Sequence, residues 1–67
     1  MATLTQKVGE KIKKLRREAG LTQEQLAVKA RLDLTTVNEI EAGNRNPSLK
    51  TLRKIALALR TPISEIL

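Results

Sequence analysis

Hydrophobic residues recur at intervals of three or four along almost the whole chain, and this spacing predicts helices. In the first segment one helical face collects the apolar residues Leu4, Val8, Ile12, Leu15 and Ala19. Thr3 followed by Gln6 predicts a capping box at the start of this helix, and Gly20 predicts its end. Gly9 lies inside the helix at a cost of about 1 kcal/mol relative to alanine, which indicates a close approach of two backbones.

Two short helices follow in close succession. Thr22 and Gln25 repeat the capping pattern for the second helix, and Asp33 is the expected N-cap of the third, which runs to about Ala42 and stops at Gly43. The residues expected to face inward are Leu26, Ala27, Ala30, Val37 and Ile40.

The connection between these helices, Arg31–Leu32–Asp33, is too short for a side-by-side return. The small side chain of Ala27 allows the two helices to cross closely, and the pair predicts a helix-turn-helix. The turn of such a motif usually holds a glycine, where φ is often positive, but this chain has Arg31.

The last third of the chain predicts two more helices. Pro47 and Ser48 open the fourth, whose apolar face is formed by Leu49, Leu52, Ile55, Ala56 and Leu59. Thr61 is expected to cap a short fifth helix with Pro62 as its first residue, and this helix carries Ile63, Ile66 and Leu67. We find no alternating strand pattern and no hairpin turn, so we predict one all-α domain, a compact five-helix bundle over residues 1–67.

Composition restricts the chemistry that this domain can perform. The net charge of +6 and the pI of about 10.4 favour a polyanionic partner. The chain has no Cys and no His, which removes thiolate and imidazole metal ligands and the commonest general base, so we expect no metal, no cofactor and no enzyme. With no aromatic residue, stacking platforms for single strands are missing. No apolar run could span a membrane, so a cytoplasmic protein without a membrane partner is expected.

The outer face of the third helix is expected to protrude from the bundle. It carries Leu34, Thr35, Asn38 and Glu39, which we call the reading face, and a helix of this kind fits the major groove of B-DNA, which is about 12 Å wide. Helix N-termini and a polar loop would approach the phosphates. The expected phosphate contacts are Thr22, Gln23, Thr36, Asn44, Arg45, Asn46, Ser48 and Lys50.

Two stretches, VGEKIKKLRREAGLTQEQLAVKA and VNEIEAGNRNPSLKTLRKIALAL, resemble the Cro/C1-type helix-turn-helix regulators of bacteria and phages. The resemblance covers Val8 to Leu67 and implies a lambda-repressor-like DNA-binding domain. Restriction–modification controller proteins are the subgroup that we favour, and phage repressors and antitoxins share the pattern. By position, the resemblance implies that Gln23 contacts phosphate, that the reading face contacts bases, and that Arg16 and Glu41 form a buried pair.

The sequence leaves two alternatives open for each of three assignments. Leu34 either touches a thymine methyl or folds back onto the core, and Glu39 either accepts a hydrogen bond from cytosine or pairs with a nearby cation. Ile63, Ile66 and Leu67 either close the core or form a two-fold interface, which we prefer.

We therefore predict a transcription regulator that binds double-stranded DNA as a homodimer on a near-palindromic operator. The alternative is a protein-interaction module, such as a toxin-binding antitoxin with secondary DNA binding. No small-molecule ligand is evident.

Overall fold

A computed structural model describes residues 1–67 as four α-helices and one 3-10 turn. The elements are α1 (Leu4–Glu18), α2 (Gln23–Ala30), α3 (Leu34–Glu41), α4 (Leu49–Ala58) and the 3-10 turn Ile63–Glu65. The all-helical expectation is confirmed, and the fifth α-helix is wrong. Pro62 is the N-cap of the last segment rather than its first residue, and no side chain caps it. Three residues are too few to nucleate an α-helix, so the segment closes i→i+3 bonds instead.

The caps that the sequence predicts are present on three helices. Thr3 and Gln6 form a reciprocal capping box on α1, and Thr22 and Gln25 form one on α2. The Ser48 hydroxyl accepts a hydrogen bond from the Thr51 amide at 3.1 Å at the start of α4. Asp33 occupies the N-cap position of α3 but makes no side-chain cap bond.

The core forms where α1 packs on α3 and where α2 packs on both α3 and α4. Its buried apolar members are Val8, Ile12, Leu26, Ala27, Ala30, Val37, Ile40, Leu52, Ile55, Ala56 and Ile66. Leu4, Ala19 and Leu49, which we expected on apolar faces, are exposed. These residues lie at or next to helix ends, where the neighbouring helices no longer cover the predicted stripe.

Two backbone features confirm expectations from single residues. A Cβ placed on Gly9 would overlap the carbonyl oxygen of Ile40, so the backbones of α1 and α3 do meet there. Arg31 has φ 57° and ψ 47°, the left-handed conformation usual for glycine in this turn. Arg60, after α4, adopts φ 54°, which the sequence did not indicate. No helix of the structure is both long enough and apolar enough to cross a membrane.

Candidate nucleic-acid interface

The reading face projects from the bundle on α3. Thr35 and Asn38 are exposed to solvent, and Leu34 is 45% exposed. Leu34 therefore does not fold back onto the core, and that alternative is wrong. Together these side chains offer a hydroxyl, an amide and an apolar surface, the groups that hydrogen-bond to base edges and touch thymine methyls.

Glu39 pairs with a cation in this structure. Arg45 Nη1 donates to Glu39 Oε1 at 3.1 Å, and both side chains are about half exposed. The same nitrogen donates to the hydroxyl of Thr36 at 3.4 Å. The contact sets the loop after α3 against the reading face and offsets the negative charge that Glu39 would otherwise present to a phosphate backbone.

Thr36 corrects one of the expected phosphate contacts. The residue is only 9% exposed, and its hydroxyl donates to Asp33 Oδ2 at 3.3 Å while accepting from Arg45. It faces inward because it lies on the side of α3 that also buries Val37 and Ile40. Thr36 thus supports Arg45 and is removed from the phosphate-contacting set.

The other expected phosphate contacts lie at two helix starts and in one loop. Thr22 is exposed at the N-cap of α2, and Gln23 is partly buried at the first position of that helix. Asn44, Arg45, Asn46, Ser48 and Lys50 are all exposed. Hydrogen bonds bring Gln23 to Asn38 and Arg45 to Glu39, so the start of α2 and the loop flank the reading face.

The Arg16–Glu41 pair is confirmed as a buried, bidentate contact between α1 and α3. Arg16 Nε donates to Glu41 Oε2 at 2.7 Å, and Nη2 donates to Oε1 at 3.0 Å. Nη1 donates to the carbonyl oxygen of Leu21 at 2.7 Å, so every guanidinium nitrogen has a partner. The side chains are 9% and 2% exposed, and the hydrogen bond to Glu41 raises the pKa of Arg16 against the opposing effect of burial.

Two hydrogen bonds that the sequence does not predict link this pair to the reading face. Gln23 Nε2 donates to Glu41 Oε1 at 3.1 Å, and Asn38 Nδ2 donates to Gln23 Oε1 at 3.2 Å. From the sequence we predict Gln23 as a phosphate contact and Asn38 as a separate base contact. No spacing rule connects them because they lie on different helices, 15 positions apart.

The expected dimer residues divide into two groups. Ile66 is fully buried within its own protomer and Ile63 packs partly against the core, so Ile66 is wrong as an interface residue. Leu67 is 55% exposed. A groove between α4 and the 3-10 turn, which we call the α4 groove, is lined by Leu49, Arg53, Ala56, Leu57, Thr61, Pro62 and Ile63. Leu57 is 75% exposed there, and the sequence missed it because it lies off the main apolar stripe of α4.

Comparison with known proteins finds a matching family and several similar regulators. A model of the family described as "Helix-turn-helix" matches residues 12–66. The immunity repressor protein of Bacillus phage phi105 is 48% identical over 59 residues, which are 88% of this chain and 41% of the repressor. Control protein C.MunI from a Mycoplasma species is 46% identical over 59 residues, 87% of this chain and 80% of that protein.

A solved structure is also similar along almost its whole length. The restriction-modification controller protein C.AhdI from Aeromonas hydrophila has a TM-score of 0.92 and 38% identity, covering 94% of this chain and 96% of the controller. This chain therefore spans most of two controller proteins but less than half the length of the phage repressor.

Proposed function

The chain belongs to the Cro/C1-type helix-turn-helix family, and from that membership we propose that it regulates transcription by binding double-stranded DNA sequence-specifically. The observation that supports this most directly is the solvent exposure of Thr35 and Asn38 on α3, between Gln23 and Arg45. In this proposal α3 enters the major groove, and the start of α2 and the loop after α3 approach the phosphates on its two sides.

The contacts that we assign follow from the chemistry of each group. Thr35 and Asn38 hydrogen-bond to base edges, and Leu34 touches a thymine methyl. The phosphate contacts are made by Thr22, Gln23, Asn44, Arg45, Asn46, Ser48 and Lys50. The backbone amides at the starts of α2 and α4 add donors there, and the helix dipole favours an anion at these ends. Regulation would follow from occupancy of the operator by this domain.

We assign the homodimer contact to the α4 groove rather than to Ile66. Leu49 and Leu57 expose 66% and 75% of their surfaces, and Ile63 borders the same groove. Pairing two such grooves about a two-fold axis would cover apolar side chains that water otherwise surrounds. Two reading faces about 34 Å apart would then meet successive major grooves of a near-palindromic operator.

The function is tested by selecting bound duplexes from a random pool and footprinting the protein on the enriched sequence. We expect a symmetric consensus with half-sites one helical turn apart. The variant Thr35→Ala should lose its base preference at specific base pairs and keep it at the others. A pool that remains random after repeated selection would contradict sequence-specific binding, and an asymmetric single half-site would contradict the dimer alone.

The dimer surface is tested with two leucines of equal exposure. Leu57→Glu introduces charge into the α4 groove, while Leu4→Glu does the same outside it, at a site that is 74% exposed. By light scattering we expect the wild type and Leu4→Glu to be dimers and Leu57→Glu to be a monomer at the same concentration. Dimers from all three proteins would place the interface elsewhere.

A protein-interaction module is the second candidate, favoured by the exposed Leu34 and the acidic Glu39 on the reading face. Neither an apolar nor an acidic side chain increases general affinity for nucleic acid, which depends on cations. A pull-down from nuclease-treated lysate separates the candidates: a stoichiometric protein partner whose binding is lost on Leu34→Ala would favour this one.

A further inference from the structure

The buried ion pair is connected to the reading face by an unbroken series of side-chain hydrogen bonds. Glu41 Oε1 accepts from both Arg16 Nη2 and Gln23 Nε2, at 3.0 and 3.1 Å. Gln23 Oε1 in turn accepts from Asn38 Nδ2 at 3.2 Å. We call this series of four residues the relay. It runs from the buried pair of Arg16 and Glu41, which are 9% and 2% exposed, to the exposed amide of Asn38.

The chemistry of Glu41 fixes the direction of every bond in the relay. A carboxylate only accepts hydrogen bonds, so Gln23 has to turn its NH2 group towards Glu41. The carbonyl oxygen of Gln23 then faces away, towards Asn38, and it accepts from the NH2 group of Asn38. Neither amide can rotate by half a turn without setting two acceptors or two donors against each other.

The anchor of the relay is rigid. Arg16 holds both oxygens of Glu41, and its remaining Nη1 is held by the Leu21 carbonyl oxygen. Arg16 and Glu41 are buried between α1 and the end of α3, so a bound duplex would not contact them. The orientation of Asn38 is thus set before any duplex arrives, so less ordering is required on binding.

The groups that Asn38 leaves free determine what it can read. One N–H is used on Gln23, which leaves the second N–H as a donor and the carbonyl oxygen as an acceptor. Adenine presents the complementary pair in the major groove, N7 as acceptor and the N6 amino group as donor, whereas guanine presents two acceptors. We propose that the relay makes Asn38 a reader of adenine, with Gln23 as its positioning residue; this inference rests on the proposed DNA-binding function.

The experiment compares base preferences of the wild type, Asn38→Ala and Gln23→Met in the same duplex selection. Asn38→Ala locates the base pair that Asn38 reads, and the wild type should require adenine there by roughly 5- to 150-fold over other bases. Gln23→Met keeps the length of the side chain and removes both ends of its amide. We expect it to reduce the adenine preference several-fold at that base pair, while the preference at base pairs sensitive to Thr35→Ala remains.

Lys50→Met is the matched control, because a residue that contacts only phosphate should weaken all duplexes alike. If Gln23→Met behaves like Lys50→Met, or if the wild type prefers another base at the Asn38 position, the inference is overturned and DNA binding stands. If the wild type enriches no sequence, the proposed function fails and the inference fails with it.

A measurement on the free wild-type protein does not depend on whether Gln23→Met folds. Side-chain amide signals in NMR should show slower hydrogen exchange for Asn38 than for Asn46, which is exposed and makes no side-chain hydrogen bond in the structure. Equal exchange at the two asparagines would overturn the relay.

Discussion

At the scale of single residues, the chain contains two Arg–Glu pairs that differ chiefly in burial. Arg16 and Glu41 are 9% and 2% exposed, whereas Arg45 and Glu39 are 50% and 45% exposed. Water screens the second pair and solvates either partner if the other is removed. Water cannot solvate the remaining partner of the first pair in this way. Removing the glutamate side chain should therefore have very different effects on stability at the two sites.

We expect Glu41→Ala to lower the free energy of unfolding by about 3 to 5 kcal/mol, because it leaves Arg16 buried without its acceptor. Glu39→Ala should cost about 0 to 1 kcal/mol. Urea titration followed by circular dichroism measures both. Equal losses in the two variants would show that burial does not control these pairs.

The raised pKa of Arg16 means that this contribution is lost only at strongly alkaline pH. Its protonated form is favoured in the folded protein by the hydrogen bond to Glu41, so the stabilisation is complete below the unfolded-state pKa of arginine. It is lost only as pH rises through the still higher folded-state value. We therefore expect the difference in unfolding free energy between wild type and Glu41→Ala to stay constant from about pH 7 to pH 9. A clear decline of that difference in this range would indicate a different titrating group.

Glu39→Gln should change DNA discrimination rather than stability. The substitution removes a negative charge from the reading face and weakens the 3.1 Å contact of Arg45, because an uncharged amide oxygen attracts a guanidinium less than a carboxylate does. Arg45 is then freer to contact phosphates of any sequence. We expect affinity for non-cognate duplexes to rise more than affinity for the selected operator, so that the ratio of the two falls. Competition binding with operator and scrambled duplexes measures this ratio. An unchanged ratio would mean that Arg45 stays on Glu39 in the complex.

At the scale of helices and turns, the prediction from sequence succeeded where the determinants are local. Thr3, Thr22 and Ser48 mark helix starts because a hydroxyl accepts from an amide two or three positions ahead, a contact that needs no other helix. The prediction that Leu4 and Leu49 lie on apolar, inward faces failed, because burial depends on how far a neighbouring helix extends. The relay could not be predicted, since its bonds depend on side-chain orientations across three helices.

The turn between α2 and α3 contains a residue under conformational strain. Arg31 holds φ 57°, where a Cβ is disfavoured, while its side chain is exposed. We expect Arg31→Gly to raise the free energy of unfolding by up to about 1 kcal/mol. Lys14→Gly, at an exposed position inside α1, should lower it by about 1 kcal/mol. Thermal unfolding compares the two, and a loss of stability in both would show that Arg31 makes contacts that outweigh the strain.

At the scale of the whole molecule, charge and size together determine how the domain meets DNA. The protein measures 30 × 23 × 22 Å and carries a net charge of +6, so most of its surface lies within a few screening lengths of a bound duplex. The site itself holds only two expected phosphate-contacting cations, Arg45 and Lys50. Long-range attraction and local contacts should therefore both appear in the salt dependence.

We expect the logarithm of the association constant to fall linearly with the logarithm of salt concentration, by about 0.9 for each phosphate neutralised. Lys50→Met should reduce the magnitude of that slope by about 0.9 per bound protomer, while the selected sequence stays the same. Fluorescence anisotropy over a salt series provides the slope. A slope that does not change in the variant would remove Lys50 from the phosphate contacts.

In the dimer that we propose, the segment around the 3-10 turn would contact both the core and the partner, and this would link folding to assembly. Ile66, the C-cap of the turn, is fully buried in the core, while Ile63, its first residue, borders the α4 groove. A partner bound in the α4 groove would stabilise the turn, and unfolding of the turn would remove part of the surface that the partner binds. By mass action, the melting temperature should then rise with protein concentration. At low concentration the domain would be both monomeric and less stable. A regulator built in this way would act on its genes only once enough copies had accumulated.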